Sequence, residues 1–562
     1  MIKRFTMAAA AAGLLAFGAA PAAAKSPAIC GPGDRPEPGL QGQVPKANQG
    51  DDSRKGYWCG AREVGHQNIL NRGANYGHAW MDDCAYVTTA FAAEEEPGGT
   101  AVLDVADPKA PKLVKLLTTP GSINAVETIH ARAGGGRKVL VAGDYDGNVL
   151  DIYDVSDCRK PKLMTSFATE NNVHNFSISY DTKTLWVATA LPLSDGNQPY
   201  PHIVAIDLEN LAAPKVILEA NMADYLPQGA NPTPLGVHRL DVSEDGNRVY
   251  AGLISGSVLL PALKPLLGPE PDVAILDSTA IQSRGEEGLK FVSQFDGSWH
   301  GPRWFKRGGG TFLVSGDEAV TNTAPASYCR GPFPTTADIT DEKAPKPIGA
   351  FELEINKAEH CPDAIEDELL YSTHYTDIDD PRDARLGLFP MYNAGLRIAD
   401  MANPAKPVEI AYYNPAPGLN TTFGVTYGPQ GDRIDLSGSN VRYKADTGHI
   451  WFVSMTSGFH VIELSGTGPA KSLGLPAAVA GAQPGRGLEG EPCRKSLRIK
   501  LPRGLRSASV YVNGKRVKRL RGRDLRVPVS IRRLPRGAVR VKIVARKKSG
   551  KRVTSTKRYR GC

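Results

Sequence analysis

The sequence predicts an all-β protein, a seven-bladed β-propeller of four-stranded antiparallel blades followed by a small C-terminal β-sandwich-like domain. Three observations predict it. An apolar strand ending in Asp, then a polar turn, then Pro, recurs along most of the chain. A second short apolar strand precedes each copy, and self-similarity at a fixed period is the mark of repeat architectures. From Cys493 onward the composition changes abruptly, to 26 Lys and Arg against the single acid Asp524.

The chain opens with Lys3 and Arg4, an Ala-rich apolar run from Met7 to about Ala20, and the small residues Ala22-Ala23-Ala24. This is the pattern of a secretory signal over residues 1–24. The run is short for a bilayer span, and no later stretch is apolar enough. The expected product has no transmembrane segment after signal removal and is secreted, extracellular or periplasmic, with association at the cell surface. Residues 25–55 read as an irregular segment.

The Asp-ending strand appears as Val102-Leu103-Asp104-Val105 with Pro111, Ile152-Tyr153-Asp154-Val155 with Pro161, and Ala205-Ile206-Asp207-Leu208 with Pro214. It returns at Ala337-Asp338-Ile339, at Ile398-Ala399-Asp400-Met401, and in weaker form at Ile275-Leu276-Asp277 and Val461-Ile462-Glu463-Leu464. Ahead of these lie Ala85-Tyr86-Val87, Val139-Leu140-Val141, Leu185-Trp186-Val187, Val249-Tyr250-Ala251, Phe312-Leu313-Val314, Leu386-Gly387-Leu388 and Trp451-Phe452-Val453. A strand on either side completes a four-stranded meander, and continuous apolar runs fit sheets covered on both faces. The last unit lacks an outer strand, so the segment from Tyr57 to about Leu70 is expected to supply it and leave no open edge. The Asp of each repeat reads as a turn former, because an Asp side chain accepts from the backbone two residues on. The propeller spans residues 56–466, a Gly/Ala/Pro-rich linker 467–490, and the basic domain 491–562.

The run Val102-Leu103-Asp104-Val105-Ala106-Asp107-Pro108-Lys109-Ala110-Pro111 resembles the consensus of LVIVD-repeat proteins, which are secreted or surface β-propellers of bacteria. That resemblance implies architecture rather than a particular activity. The C-terminal unit resembles the small immunoglobulin-like modules appended to exported proteins, in composition and pattern.

All eight cysteines follow the signal, and an even number in an oxidising compartment points to disulfides. The pairings expected are Cys493–Cys562, Cys329–Cys361, Cys84–Cys158 and Cys30–Cys59, although spacing alone leaves connectivity open. The absence of Cys-x-x-Cys argues against thiolate metal sites.

Six histidines (His78, His130, His174, His238, His300 and His374) each precede their repeat's second strand by about one strand and a turn. This places them on the innermost strands, around a shared axis. The seventh repeat offers Arg442 or Thr426. Converging imidazoles suit copper or zinc, with Glu127, Asp241 and Asp377 as outer partners; the plainer reading is that these positions line the channel structurally. Gly-x-Ser-x-Gly, His-Glu-x-x-His, phosphate-loop and calcium-loop motifs are missing.

The formal charge of +8 divides into +25 from Cys493 onward and −17 before it. Lys515, Arg516, Lys518, Arg519, Arg532, Arg533, Lys547 and Lys548 are expected to meet an anionic cell-wall polymer or glycan, and scarce aromatics disfavour a dedicated nucleic-acid reader. The function expected first is a non-catalytic exported scaffold whose propeller face binds a small-molecule or protein ligand. The alternative is a copper- or zinc-dependent enzyme, an oxidoreductase, with its histidine site on the axis.

Overall fold

The computed structural model describes residues 26–49, 55–90, 97–189 except 146 and 171, 203–225, 236–254, 273–316 except 286 and 296–299, 318, 333–418 and 435–465. It also describes 495–561 except 500, 502–504, 514, 533, 535–536 and 548–551. Within these residues seven antiparallel sheets succeed one another in chain order. The first holds Asn75–Met81, Cys84–Thr89, Thr100–Asp104 and Lys112–Leu117. The first strands of the next six are Ile129–Gly134, Asn175–Ile178, Gly236–Val242, Arg303–Arg307, Asp377–Ile378 and Arg442–Lys444.

Apart from the N-terminal strands of the sixth and seventh sheets, neighbouring strands within each sheet are consecutive in the chain and antiparallel. Second strands such as Cys84–Thr89, Thr184–Ala188 and His449–Ser454 are buried along their whole length. Fourth strands such as Lys112–Leu117 and Lys162–Ala168 are largely exposed. First strands touch between successive sheets from the first to the fifth, and the sixth touches the seventh. The seventh reaches the first through His449–Ser454 against Asn75–Met81, an arrangement compatible with a propeller.

The segment expected to complete the last sheet splits in two. Ala61–Gln67 pairs with Gly458–Leu464 as the outer strand of the seventh sheet. Tyr57–Cys59 instead pairs with Val408–Asn414 and makes the sixth sheet five-stranded. Gly60 separates them at φ +66, where a Cβ would meet the Ile410 carbonyl at 3.0 Å; glycine is the residue that takes this conformation without steric cost.

The repeated Asp acts as the turn former. Asp104, Asp154, Asp207, Asp277, Asp338 and Asp400 each accept, through Oδ1, the backbone N–H two residues later. Asp104 also takes a bidentate hydrogen bond from Arg159, at 2.7 Å through both Nε and Nη2, which links the first two sheets. Cys84–Cys158 joins the same two sheets. Cys30–Cys59 fastens the N-terminal segment, which also packs Leu40 and Val44 against Leu353, Phe389 and Met401. Cys361 is disulfide-bonded; Cys329, Cys493 and Cys562 lie outside the described residues, as do linker 467–490 and Thr426.

In the C-terminal part, Lys515–Arg521, Leu505–Val512, Gly537–Lys547 and Arg552–Gly561 form one sheet, and Ser496–Ile499 pairs with Val529–Arg532. Leu497 and Ile531 of the pair share an apolar cluster with Val510, Leu520 and Val541 of the sheet. Lys515–Arg521 exposes every residue but Leu520, because it is an edge strand with a covered face only near its end. Charged edge strands resist pairing with other chains.

Candidate metal centre

The six histidines do not form one ring; strand register divides them. Val87, Val141, Val187, Ala251, Val314 and Leu388 hold equivalent places in their second strands. Across the ladder they face His78, His130, Phe176, Leu240, Arg303 and Asp377. His78 and His130 thus occupy one level, while His174, His238, His300 and His374 come two or three residues earlier. His78 donates through Nδ1–H to the Asn440 carbonyl, 2.9 Å away, and lies between Trp80 and Phe459. Arg442 reaches the Asp82 carbonyl and lies over Trp451, apart from the histidine cluster.

The other four histidines converge. Ring centroids step from His174 to His238 at 4.3 Å, to His300 at 3.9 Å and to His374 at 4.5 Å. His174 Nε2 is 2.9 Å from His238 Nε2 and 3.4 Å from Glu127 Oε1. His300 Nε2 is 3.0 Å from Glu318 Oε2. His374 Nε2 stands between the two carboxylates, 3.4 Å from Glu127 Oε2 and 3.7 Å from Glu318 Oε1. In two sets of three, Glu127–His174–His238 and His238–His300–Glu318, the donor atoms all lie within 4.8 Å of one another. His238 belongs to both sets.

Local structure explains the convergence. A register shift between Val237 and Arg239 places His238 in a bulge, and bulges re-aim side chains beside sites. His174, His300 and His374 lie just ahead of their first strands, which begin at Asn175, Arg303 and Asp377. Tyr375 and Tyr392 donate through their hydroxyls to Glu127 and Glu318 respectively. Asn175 Nδ2 donates to the Tyr375 oxygen at 3.0 Å. The His374 ring nitrogen Nδ1 meets the Gly438 carbonyl, so it carries the proton and leaves Nε2 as the lone-pair donor.

Protonation follows from burial. The His238 ring is pushed well below its ordinary pKa by burial first and then by His300, His174, His374 and Arg239. Burial likewise lowers His374. For Glu318 burial acts upward, but the His300 and His374 imidazoles and the hydrogen bonds outweigh it and hold the carboxyl at about 2. A neutral His238 or His374 imidazole and an ionised Glu318 carboxylate are the forms in which such groups bind metal. Donors 2.0–2.1 Å from a tetrahedral ion stand about 3.3 Å apart, and the separations of 2.9, 3.0 and 3.4 Å lie within a few tenths of that. The residues fit a transition ion.

Of the acidic companions, Glu127 belongs among the donors rather than behind them. Asp241 and Asp377 instead bind Arg303, at 3.5 and 2.8 Å. Glu318 follows the strand Gly310–Ser315 on a segment without repeat spacing, and sequence reading missed it. Tyr375 was missed too, although its place next to His374 marks it.

A second cluster has the outline of a hydrolase relay. Ser457 Oγ is 2.8 Å from His460 Nε2, and His460 Nδ1 is 2.7 Å from Glu63 Oε2. The Ser457 hydroxyl, however, donates to the buried Asp435 carboxylate. An oxyanion forming there would face a negative group instead of donors. The cluster pins Ala61–Gln67 onto the seventh sheet.

Lys515, Arg516, Lys518 and Arg519 are exposed, as is Lys547. Arg533 and Lys548 lie outside the described residues, and Arg532 is described in its backbone alone. No helix among the described residues is long and apolar enough to cross a membrane.

No protein-family model and no curated protein matches the chain, so the likeness to LVIVD-repeat and immunoglobulin-like proteins rests on the repeat and strand residues alone. Among solved structures, the chain is similar to the extracellular domain of a hybrid two-component system from B. thetaiotaomicron. That match has 13% identity and a TM-score of 0.39, and covers 89% of this chain and 57% of that one. The periplasmic gluconolactonase of Pseudomonas aeruginosa matches at 11% identity and TM-score 0.37, over 61% of this chain and 86% of that one. The chain spans less than two thirds of the first of these, and likenesses at this level carry no functional argument.

Proposed function

We propose that this chain is an exported metalloprotein, with the seven sheets as blades of one closed propeller and a copper or zinc ion held on its axis. The observation that supports it is the pair of His/Glu sets sharing His238, whose donor atoms come within 4.8 Å of one another. Glu127, His174 and His238 would hold one ion; His238, His300 and Glu318 would hold the same ion or a second. All donors are imidazole or carboxylate, a combination suited to Zn(II) or Cu(II) more than to ions that prefer thiolates. Bound there, such an ion supplies Lewis acidity or, if copper, one-electron chemistry. Tyr375 and Tyr392 orient the carboxylates, and the Gly438 carbonyl fixes the His374 tautomer.

The test is metal analysis of protein purified without a His tag, after copper or zinc has been offered and excess removed. Stoichiometric metal that disappears in His174→Ala/His238→Ala and persists in His78→Ala supports the reading. A metal-free wild type excludes it. The exposed basic strand Lys515–Arg521 favours a second role for the tail, contact with an anionic wall polymer or glycan that holds the propeller near its surface.

A further inference from the structure

A separate group of hydrogen-bond donors lies on the first strands Ile129–Gly134 and Gly236–Val242. His130 Nδ1 accepts the Ile178 backbone N–H at 2.9 Å, which requires the ring proton to sit on Nε2. That Nε2–H faces Arg132 Nη2 at 3.5 Å. Both atoms are donors, so neither satisfies the other, and the pair calls for an acceptor between or beside them.

Arg132 is stacked on Tyr180, with its guanidinium carbon 3.8 Å from the ring centroid. Arg239 is stacked in the same way on Tyr375 at 4.0 Å, and is 8% exposed. Among the described residues no carboxylate lies within ion-pair distance of either guanidinium. The acids that could neutralise them are engaged elsewhere. Asp377 binds Arg303 through Oδ1 and accepts from Asn440 Nδ2 and Val441 N through Oδ2. Asp241 contacts Arg303 through Oδ1 and accepts from Trp304 N through Oδ2. Glu127 is held by the Tyr375 hydroxyl and faces the histidines. Burial first, and then the charges of Arg132, Arg303 and Arg239, push the His130 ring well below its ordinary pKa.

A buried guanidinium without a counter-ion is costly. We propose that His130, Arg132 and Arg239 form an anion-binding site for a small oxyanion or carboxylate. The Nε2–H of His130 and the N–H groups of Arg132 and Arg239 donate to its oxygens, with Tyr180 and Tyr375 as the aromatic walls. None of its three residues belongs to either proposed metal donor set, although Arg239 follows His238 in the chain and Tyr375 also holds Glu127.

The experiment uses the full chain, stripped of metal with a chelator, and compares wild type with Arg239→Met and Arg239→Lys at constant ionic strength. The probes are inorganic phosphate, sulfate and acetate, followed by thermal unfolding, and bromide soaked into crystals for anomalous diffraction. The basic tail meets the same anions in every variant, so the difference between variants isolates this site. In wild type, phosphate, sulfate or acetate raises the Tm, and bromide density appears between Arg239 and His130. The more effective probe, oxyanion or carboxylate, identifies the ligand's class. Arg239→Met unfolds at a higher temperature than wild type without added anion, because an unneutralised buried charge is gone, and its anion affinity falls at least tenfold. Arg239→Lys, which keeps the charge without the fork, retains part of the response. Equal anion responses in wild type and Arg239→Met, with no bromide at the site, would overturn the proposal. Failure of metal binding would leave it untouched.

Discussion

His174 and His238 stand 64 residues apart in the chain, on the third and fourth sheets, yet their Nε2 atoms meet at 2.9 Å. Two such nitrogens share a proton or share an ion. Because His238 also belongs to the set with His300 and Glu318, the variants should not be equivalent. His238→Ala is expected to lower affinity for zinc or copper at both sets, and Glu318→Gln at one. Competition titration against a chromophoric chelator measures the difference.

Tyr375 holds Glu127 through its hydroxyl and lies 4.2 Å from His374. Removing a group that orients a ligand typically costs about 10–100-fold in metal affinity. Tyr375→Phe keeps the ring and is expected to lose affinity in that range while its Tm stays near wild type. The same titration, with thermal unfolding alongside, checks it.

His78 is buried among Trp80 and Phe459, and burial, the dominant cause, lowers its pKa to about 3. The unfolded chain takes up this proton near the ordinary value of about 6.5, whereas the folded protein resists until about pH 3. Its contribution to stability is therefore complete above pH 6.5 and is lost as pH falls toward 3, at up to roughly 1.4 kcal/mol per pH unit. Denaturant titrations between pH 7 and 4 on His78→Gln should show a shallower acid slope than wild type.

The Cys84–Cys158 disulfide closes a loop over a sequence separation of 74. On the chain-entropy account a loop of this size stabilises by about 4 kcal/mol. Cys84→Ser/Cys158→Ser should unfold at correspondingly lower denaturant. The Asp104–Arg159 bond beside it should keep the first two sheets joined, as near-ultraviolet circular dichroism would report.

Lys515, Arg516, Lys518 and Arg519 present their charges on an exposed edge strand. Each is worth on the order of 1 kcal/mol near an anionic surface at low salt. Changing all four to Gln should move elution from heparin to clearly lower salt, with no change in metal content.

The sheets were legible because the Asp-then-Pro element repeats, and a repeated turn former shows through divergent strands. The break at Gly60 was not, since one local glycine among ordinary loop glycines does not reveal which sheet each neighbour joins. Four histidines of the cluster were legible from their place before each second strand. Sequence spacing could not separate His78 and His130 from them, because the difference is a register step of two or three residues, partly absorbed by the bulge at His238. Glu318 had no repeated counterpart to point to it.

Anomalous diffraction from crystals of untagged protein, recorded across the copper and zinc edges, tests the metal centre most directly. The expected result is a peak about 2.0–2.2 Å from a His238 ring nitrogen, with its other neighbours drawn from Glu127, His174, His300 and Glu318. Protein supplied with both metals that gives no anomalous density among these side chains would contradict it.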